Sequence, residues 1–191
     1  MIRMLLVDDH PALRTGLTAV LRAEPGLVPL GTAASEEELW PALTRTRPDV
    51  VLLDYHLPPA DGLVLCRRMK RTMPPPRVLL YSAYADASLV IPAVLAGADG
   101  VVNKGAPANE LYDAIRTVAR GERVMPPITA ELLEAARARL DDEDLPVLMM
   151  ALDGTTEAEI GRTIGATPED TAHRLDRMIS RLKVEVPAPK A

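Results

Sequence analysis

The sequence contains one cysteine, no phenylalanine and no apolar run that approaches the length of a membrane helix. A single cysteine excludes an intrachain disulfide, and the position of Cys66 in the stretch Leu63–Cys66 is typical of a buried helix residue rather than a reactive thiol. A helix that crosses a bilayer needs about 20 apolar residues, and the acidic pair Asp8-Asp9 comes too early for a signal peptide. We therefore expect a cytoplasmic protein without a membrane segment.

The excess of negative charge lies in the last third of the chain. The net charge is −5 over 191 residues, but residues 1–125 carry 14 basic and 14 acidic side chains, whereas residues 126–191 carry 8 and 13. A DNA-binding module normally has a basic surface, so an acidic C-terminal third is unusual for such a module. The length allows one large or two small domains, and a hydrophobic content of 48% is sufficient for a core.

Four short apolar runs each end at a residue that can carry chemistry. They begin at Met4, Val50, Val78 and Val101, and the residues that follow them are Asp8 and Asp9, Asp54, Ser82, and Lys104. Continuous apolar runs are typical of parallel strands covered on both faces, and open α/β sheets place their sites beyond the carboxyl ends of the strands. Amphipathic helical stretches lie between the runs, as a βα-alternating domain requires. We therefore expect three carboxylates, a hydroxyl and an ammonium at one edge of a sheet.

These residue types suit the transfer of a phosphoryl group to an aspartate. Carboxylates are good ligands for a small hard cation such as Mg²⁺, and such a cation can hold a phosphoryl group while a carboxylate attacks it. Asp54 is the predicted nucleophile. Lys104 is expected to place its positive charge beside one phosphoryl oxygen, and Ser82 to hydrogen-bond another.

From residue 1 to about residue 120, the order and spacing of these residues resemble the receiver domain of bacterial two-component response regulators. The stretches 7–11 and 57–62 are similar to the NarL/FixJ subfamily, whose output is a LuxR-type helix-turn-helix. The resemblance implies a flavodoxin-like, doubly wound sheet of five parallel strands. It also implies phosphorylation of Asp54 by a partner histidine kinase. The implied Mg²⁺ ligands are Asp8, Asp9, Asp54 and the backbone carbonyl of His56.

A second, all-helical domain follows a break at residues 121–127, where glycine and proline interrupt the pattern. Its second helix opens with the capping box Thr156-x-x-Glu159, and a tight connection at residues 165–167 leads to its third helix. This segment resembles the LuxR-type DNA-binding domain. The predicted boundaries are a receiver at 1–121, a linker with a connector helix at 122–139, the helix-turn-helix domain at 140–185 and a flexible tail at 186–191.

The predicted DNA contacts lie on the last helix of this domain. They are Thr171, His173, Arg174, Arg177, Arg181 and Lys183. Three sites depart from the family pattern, because Glu143-Asp144 replaces an Arg-Glu pair, Ala172 replaces a lysine, and Asp170 replaces a threonine. DNA phosphates would repel the charge of Asp170. The basic side chains are therefore open to two interpretations, a DNA-binding stripe or solvated helix charges.

The receiver segment departs from the family at one further position. Many relatives carry an aromatic residue three positions before the lysine, and it turns inward on activation. This chain has Val101 there. Tyr84 is a candidate substitute for that aromatic residue, or a surface residue without such a role.

Three functional hypotheses remain. The first is a transcription regulator that dimerises on phosphorylation, so that two helix-turn-helix units contact half-sites about 10 bp apart. The second is a response regulator with a degenerate output that binds protein instead of DNA. The third is a phosphatase with an aspartate nucleophile, which is disfavoured because such enzymes use Asp-x-Asp, and Asp54 is followed by Tyr55 and His56. We expect no enzymatic activity beyond the receiver's part in its own phosphorylation and dephosphorylation.

Overall fold

The computed structural model of the protein describes residues 1–83 and 87–183. Tyr84 and the predicted tail at 186–191 lie outside the described residues. The chain divides into two compact units. The first comprises Met1–Ala85 and Ala98–Met125, and the second comprises Asp86–Gly97 and Pro126–Ala191.

The first unit is built on a five-stranded parallel sheet, which confirms the predicted fold class. The strands are β1 (Ile2–Val7), β2 (Leu27–Ala33), β3 (Val50–Asp54), β4 (His56–Leu57), β5 (Ala60–Asp61), β6 (Arg77–Ser82) and β7 (Gly100–Asn103). The order in the sheet is β2-β1-β3-β6-β7, with every neighbouring pair parallel. β4 and β5 form a separate antiparallel pair directly after β3.

Helices alternate with the strands of the first unit and continue through the second. They are α1 (Pro11–Ala23), α2 (Glu36–Thr46), α3 (Gly62–Lys70), α4 (Ala87–Leu95), α5 (Ala108–Ala119), α6 (Ala130–Arg137), α7 (Leu145–Leu152), α8 (Glu157–Ile164) and α9 (Pro168–Leu182). In the first unit, Leu6 and Leu52 of the sheet join Ile115 and Val118 of α5 in one buried cluster. This packing aligns the strands so that their carboxyl ends lie at one edge.

The strand order fixes where a site can form in the first unit. β2 lies on one side of β1, and β3, β6 and β7 lie on the other. The topological switch point therefore falls between β1 and β3, where open α/β sheets bind their ligands. Asp8 follows β1, and Asp54 is the last residue of β3.

A buried carboxylate connects the elements at the opposite, amino-terminal edge of the sheet. Asp99, directly before β7, accepts hydrogen bonds from the Val78 amide (2.8 Å), the Lys70 ammonium (2.8 Å) and the Arg77 guanidinium (2.9 Å). These bonds join α3 to the beginnings of β6 and β7. A buried charge is tolerated only when it is paired, and the two cations supply that pairing.

The second unit consists of α4 and α6 to α9. α4 has no charged residue, and a helix that is apolar all round is buried on all sides. Its buried residues are Leu89, Val90, Ile91, Pro92, Ala93, Val94 and Leu95. Within this unit α4 packs against α6, α7 and α9. The predicted boundary at residue 121 places α4 in the receiver, whereas the packing groups it with the C-terminal helices. None of the helices in the described ranges is long and apolar enough to span a bilayer.

Asp99→Ala should lower the free energy of unfolding by about 3 kcal/mol, because it leaves two cations and a buried amide without their shared acceptor. Urea denaturation measures the loss. Asp113→Ala is the control: this side chain is 76% exposed and lies 3.6 Å from Arg116, so its removal should cost less than about 0.5 kcal/mol. Equal losses in both variants would show that Asp99 does not organise this edge.

Candidate functional site

Three of the predicted residues converge at the carboxyl edge of the sheet. The Lys104 ammonium donates to Asp8 Oδ2 and to Asp54 Oδ2, each at 2.6 Å. Both carboxylates are buried, and the Lys104 side chain is 15% exposed. Lys104 follows β7, so its side chain reaches across the edge to the ends of β1 and β3. The arrangement is a single buried cation shared by two carboxylates from different strands.

Burial and the neighbouring charges shift the pKa values of Asp8, Asp54 and Lys104. Burial, together with the neighbouring charge of Asp8, raises the pKa of Asp54 above its ordinary value although Lys104 opposes the change. Burial also acts to raise the pKa of Asp8, but the hydrogen bonds from Lys104 and the His10 amide hold it below its ordinary value. Burial alone would lower the pKa of Lys104, and its two carboxylate partners raise it instead. Lys104 therefore remains a cation at neutral pH.

The acidic pair also offers oxygen atoms that could hold a cation. Ligand atoms of Asp8, Asp9, His10 and Asp54 all lie within 4.8 Å of one another. Asp9 Oδ1 is shielded from solvent and accepts no hydrogen bond from any described residue, although the His10 ring nitrogen Nδ1 is 2.6 Å away. Three carboxylates whose oxygen atoms lie this close together fit a small hard cation such as Mg²⁺.

Two further predicted residues lie next to this cluster. The His56 amide donates to Asp54 Oδ1 at 3.2 Å, and the role of the His56 carbonyl stays a prediction. Ser82 is buried at the end of β6, and its backbone carbonyl accepts from the Lys104 amide at 2.9 Å. The predicted aspartates, serine and lysine therefore share one edge of the sheet.

The sequence analysis missed one residue at this edge. The Arg14 guanidinium, in the second turn of α1, donates to the Asp8 backbone carbonyl at 2.6 Å. The only signal for it was a basic residue about one turn into the helix after the acidic pair. A hydrogen bond to a backbone carbonyl leaves no pattern of residue types that would have identified it.

In the second unit, α8 and α9 have the local structure of a helix-turn-helix. Thr156 accepts from the Glu159 amide (3.3 Å) and its own amide donates to the Glu159 carboxylate (3.0 Å), so the predicted capping box is present. Gly165 ends α8 with φ of 69°, a left-handed conformation that favours glycine. Thr167 then caps α9 by accepting from the Asp170 amide at 3.1 Å. The Thr167 hydroxyl donates to the Asp170 carboxylate at 2.6 Å, which gives this unusual aspartate a structural role.

Thr171 does not have the surface position that a DNA contact needs. Its side chain is 1% exposed, and its hydroxyl donates to the Thr167 carbonyl at 2.8 Å. It packs against Gly161 of α8, where a Cβ atom would lie 2.7 Å from the threonine hydroxyl. Thr171 therefore supports the close approach of α8 and α9, and its prediction as a DNA contact is corrected.

Two of the predicted basic contacts are held by acidic residues within the same unit. Arg181 lies 2.5 Å from Asp141 and 3.7 Å from Asp144. Arg174 lies 3.6 Å from Glu143 and 3.7 Å from the buried Asp144. The residues that face both arginines belong to the acidic stretch 141–144, which we call the acidic turn. The basic stripe predicted on α9 is therefore partly neutralised from within the unit.

The remaining predicted contacts lie on the same helix or at its end. His173 and Arg177 are exposed, and Lys183 is half-buried as the residue that ends α9.

Known proteins are similar to this chain over the receiver segment and over almost its full length. Residues 4–116 match the family model described as the response regulator receiver domain. The chain is 31% identical to the DNA-binding transcriptional activator DevR/DosR of Mycobacterium tuberculosis, over 97% of this chain and 90% of that protein. It is 29% identical to the transcriptional regulatory protein LiaR of Bacillus subtilis, over 96% of this chain and 92% of that protein.

A solved structure is also similar to most of this chain. The crystal structure of a two-component response regulator of the LuxR family from Aurantimonas sp. SI85-9A1 superposes with a TM-score of 0.64 at 30% identity. The superposition covers 72% of this chain and 99% of that one.

Asp54→Asn should stabilise the protein at neutral pH by on the order of 1 kcal/mol. Because the pKa of Asp54 is raised in the folded state, its ionisation opposes folding above that pKa, whereas asparagine carries no charge and leaves Asp8 paired with Lys104. The gain should shrink as the pH falls through the raised pKa of Asp54, because the wild-type carboxyl is then protonated as well. Urea denaturation at neutral pH and at an acidic pH measures it, with Asp113→Asn as the exposed control. An equal gain at the two pH values would contradict this account.

Proposed function

Because the chain belongs to the response regulator receiver family, we propose that a histidine kinase phosphorylates it on Asp54 and that it thereby controls transcription. The observation that carries the proposal is the convergence of Asp8, Asp54 and Lys104 at the switch point of the sheet. Open α/β sheets bind their ligands at this edge, so a nucleophilic carboxylate, a second carboxylate and a shared cation there favour a functional site over a purely structural ion pair.

In the proposed reaction an Asp54 oxygen attacks the phosphorus of a kinase phosphohistidine. The oxygen–phosphorus bond forms, the phosphorus–nitrogen bond breaks, and the histidine takes up a proton. Lys104 stabilises the negative charge of the phosphoryl oxygens, and the Ser82 hydroxyl donates to one of them. The proposed ligands of a resident Mg²⁺ are Asp8, Asp9, Asp54 and the His56 carbonyl. When bound, this ion supplies charge neutralisation for the phosphoryl group.

We propose no enzymatic activity toward other molecules. The phosphoryl acceptor is the protein's own side chain, so the chain assists only its own phosphorylation and dephosphorylation. We place the protein in the cytoplasm, where a histidine kinase can reach the receiver.

Asp54 should be the sole phosphorylation site. With Mg²⁺ and acetyl phosphate, intact-mass spectrometry should detect one added phosphoryl group that is stable in acid and labile in base, as expected for an acyl phosphate. Asp54→Asn should abolish the addition. Asp113→Asn is the matched control, since it makes the same chemical change at an exposed site and should be labelled like the wild type. Undiminished labelling of Asp54→Asn would overturn the assignment.

The output proposed for the second unit is DNA binding by α8 and α9. The DevR/DosR relative is named a DNA-binding transcriptional activator, and the chain aligns with almost all of that protein. Phosphorylation promotes a homodimer in which two such units contact adjacent half-sites of the DNA. The proposed contacts that remain after the structural corrections are Arg177, His173 and Lys183, with Arg174 and Arg181 available only when the acidic turn releases them.

A second candidate output is binding to protein instead of DNA. It is favoured by one specific observation, the pairing of Arg174 and Arg181 with the acidic turn. This pairing weakens the positive potential that DNA phosphates would require. Only the DNA-binding output predicts an affinity for DNA that falls as the salt concentration rises.

Asp141→Asn should tighten DNA binding by the phosphorylated protein about threefold to tenfold at low salt, because it releases Arg181 and removes a repulsive charge. Fluorescence anisotropy with a promoter fragment measures the affinity over a salt series. Asp153→Asn makes the same chemical change at another exposed site of this unit and should have a smaller effect. Salt-independent or undetectable binding by the wild type and both variants would favour the protein-binding output.

A further inference from the structure

We propose that Tyr81 is a positioning residue that holds Lys104 in place for phosphoryl chemistry at Asp54. The inference rests on the proposed function of the site and adds a residue to it. The hydroxyl of Tyr81 is bonded to the backbone carbonyl of Lys104, so Tyr81 acts on the site through Lys104.

Tyr81 lies on β6, in register with Asp54 of β3 and with Val102 of β7. Its side chain is 6% exposed, and its hydroxyl donates to the Lys104 backbone carbonyl at 3.3 Å. The centre of its ring lies 6.0 Å from the Lys104 ammonium, at the outer limit of a cation–π contact. Tyr81 thus faces Lys104 with both its polar and its aromatic part.

The neighbouring residue of β6 holds the other backbone polar group of Lys104. The Ser82 carbonyl accepts from the Lys104 amide at 2.9 Å. Both the amide and the carbonyl of Lys104 are therefore bonded to consecutive residues of one strand. With the backbone held at two points, the long lysine side chain can reach Asp8 and Asp54 together at 2.6 Å.

The hydroxyl is the part of Tyr81 that performs this role. The ring belongs to the buried cluster that contains Leu6, Leu52 and Val102, and it forms part of the wall of a cavity of about 10 Å³ beside Asp8 and Asp54. Phenylalanine would keep the ring and remove only the hydrogen bond to Lys104. Burial raises the pKa of Tyr81, so the hydroxyl keeps its proton as a donor through neutral pH.

Loss of this bond should matter more for reaction rate than for folding. A displacement of about 1 Å at a catalytic cation is enough to slow a reaction strongly, because the charge no longer meets the developing negative charge. A single neutral, partly buried hydrogen bond makes only a modest net contribution to the free energy of unfolding.

The test is a double-mutant cycle with Tyr81→Phe and Lys104→Ala. The rate of labelling by acetyl phosphate with Mg²⁺ should fall about threefold to tenfold in Tyr81→Phe. In the Lys104→Ala background, Tyr81→Phe should produce no further fall, since the group it positions is absent. The change in urea midpoint caused by Tyr81→Phe should be similar in both backgrounds. Tyr112→Phe, a partly buried tyrosine on α5 packed against the same cluster, is the control and should leave the rate unchanged.

A second measurement does not depend on labelling. The NMR resonance of the Lys104 ammonium should shift or broaden in Tyr81→Phe and keep its wild-type position in Tyr112→Phe. If the wild type is not labelled, the proposed function fails. If the wild type is labelled but Tyr81→Phe has the wild-type rate and an unchanged Lys104 resonance, the positioning role is wrong. An equal slowing with and without Lys104 would also overturn it.

Discussion

The ammonium of Lys104, shared between the buried carboxylates of Asp8 and Asp54, is the interaction on which the receiver unit depends. Two carboxylates this close and this buried repel each other and lose their hydration, and a cation between them offsets part of both costs. The cation comes from a strand two places away from β3 in the sheet. The pairing therefore exists only if the parallel strands end together, and the apolar core beneath the sheet is what aligns them.

The second unit also contains one buried charge that is shared by two opposite charges, but there the signs are reversed. Asp144 is buried beside Arg174 and Arg181, so one carboxylate serves two cations there. In the receiver unit the shared charge is the Lys104 ammonium, so any change in the charge of Asp54 must alter the distribution of hydrogen bonds around Lys104. In the second unit the shared charge holds the end of α9 to the acidic turn. Folding and function thus draw on the same small number of charged groups.

The sequence was sufficient for features that follow from one strand or one helix. Apolar runs that end at Asp8, Asp54, Ser82 and Lys104 predicted both the parallel sheet and the edge where these residues meet. The sequence was insufficient where the partner of a side chain is distant along the chain. Arg181 and Asp141 are 40 positions apart, so the sequence did not reveal that this part of the predicted basic stripe is paired. Arg14 and Tyr81 bond to backbone carbonyls, which every residue possesses, and Thr171 was misplaced because helical position alone does not reveal close packing against Gly161.

The placement of α4 has a consequence for how such a protein can evolve. α4 lies between β6 and β7 in the chain, but its uncharged surface packs with α6, α7 and α9. No single cut in the gene therefore releases both units intact. A gene fusion at the linker that replaced the C-terminal helices would leave α4 without the helices it packs against. A new output would therefore have to cover the same apolar helix.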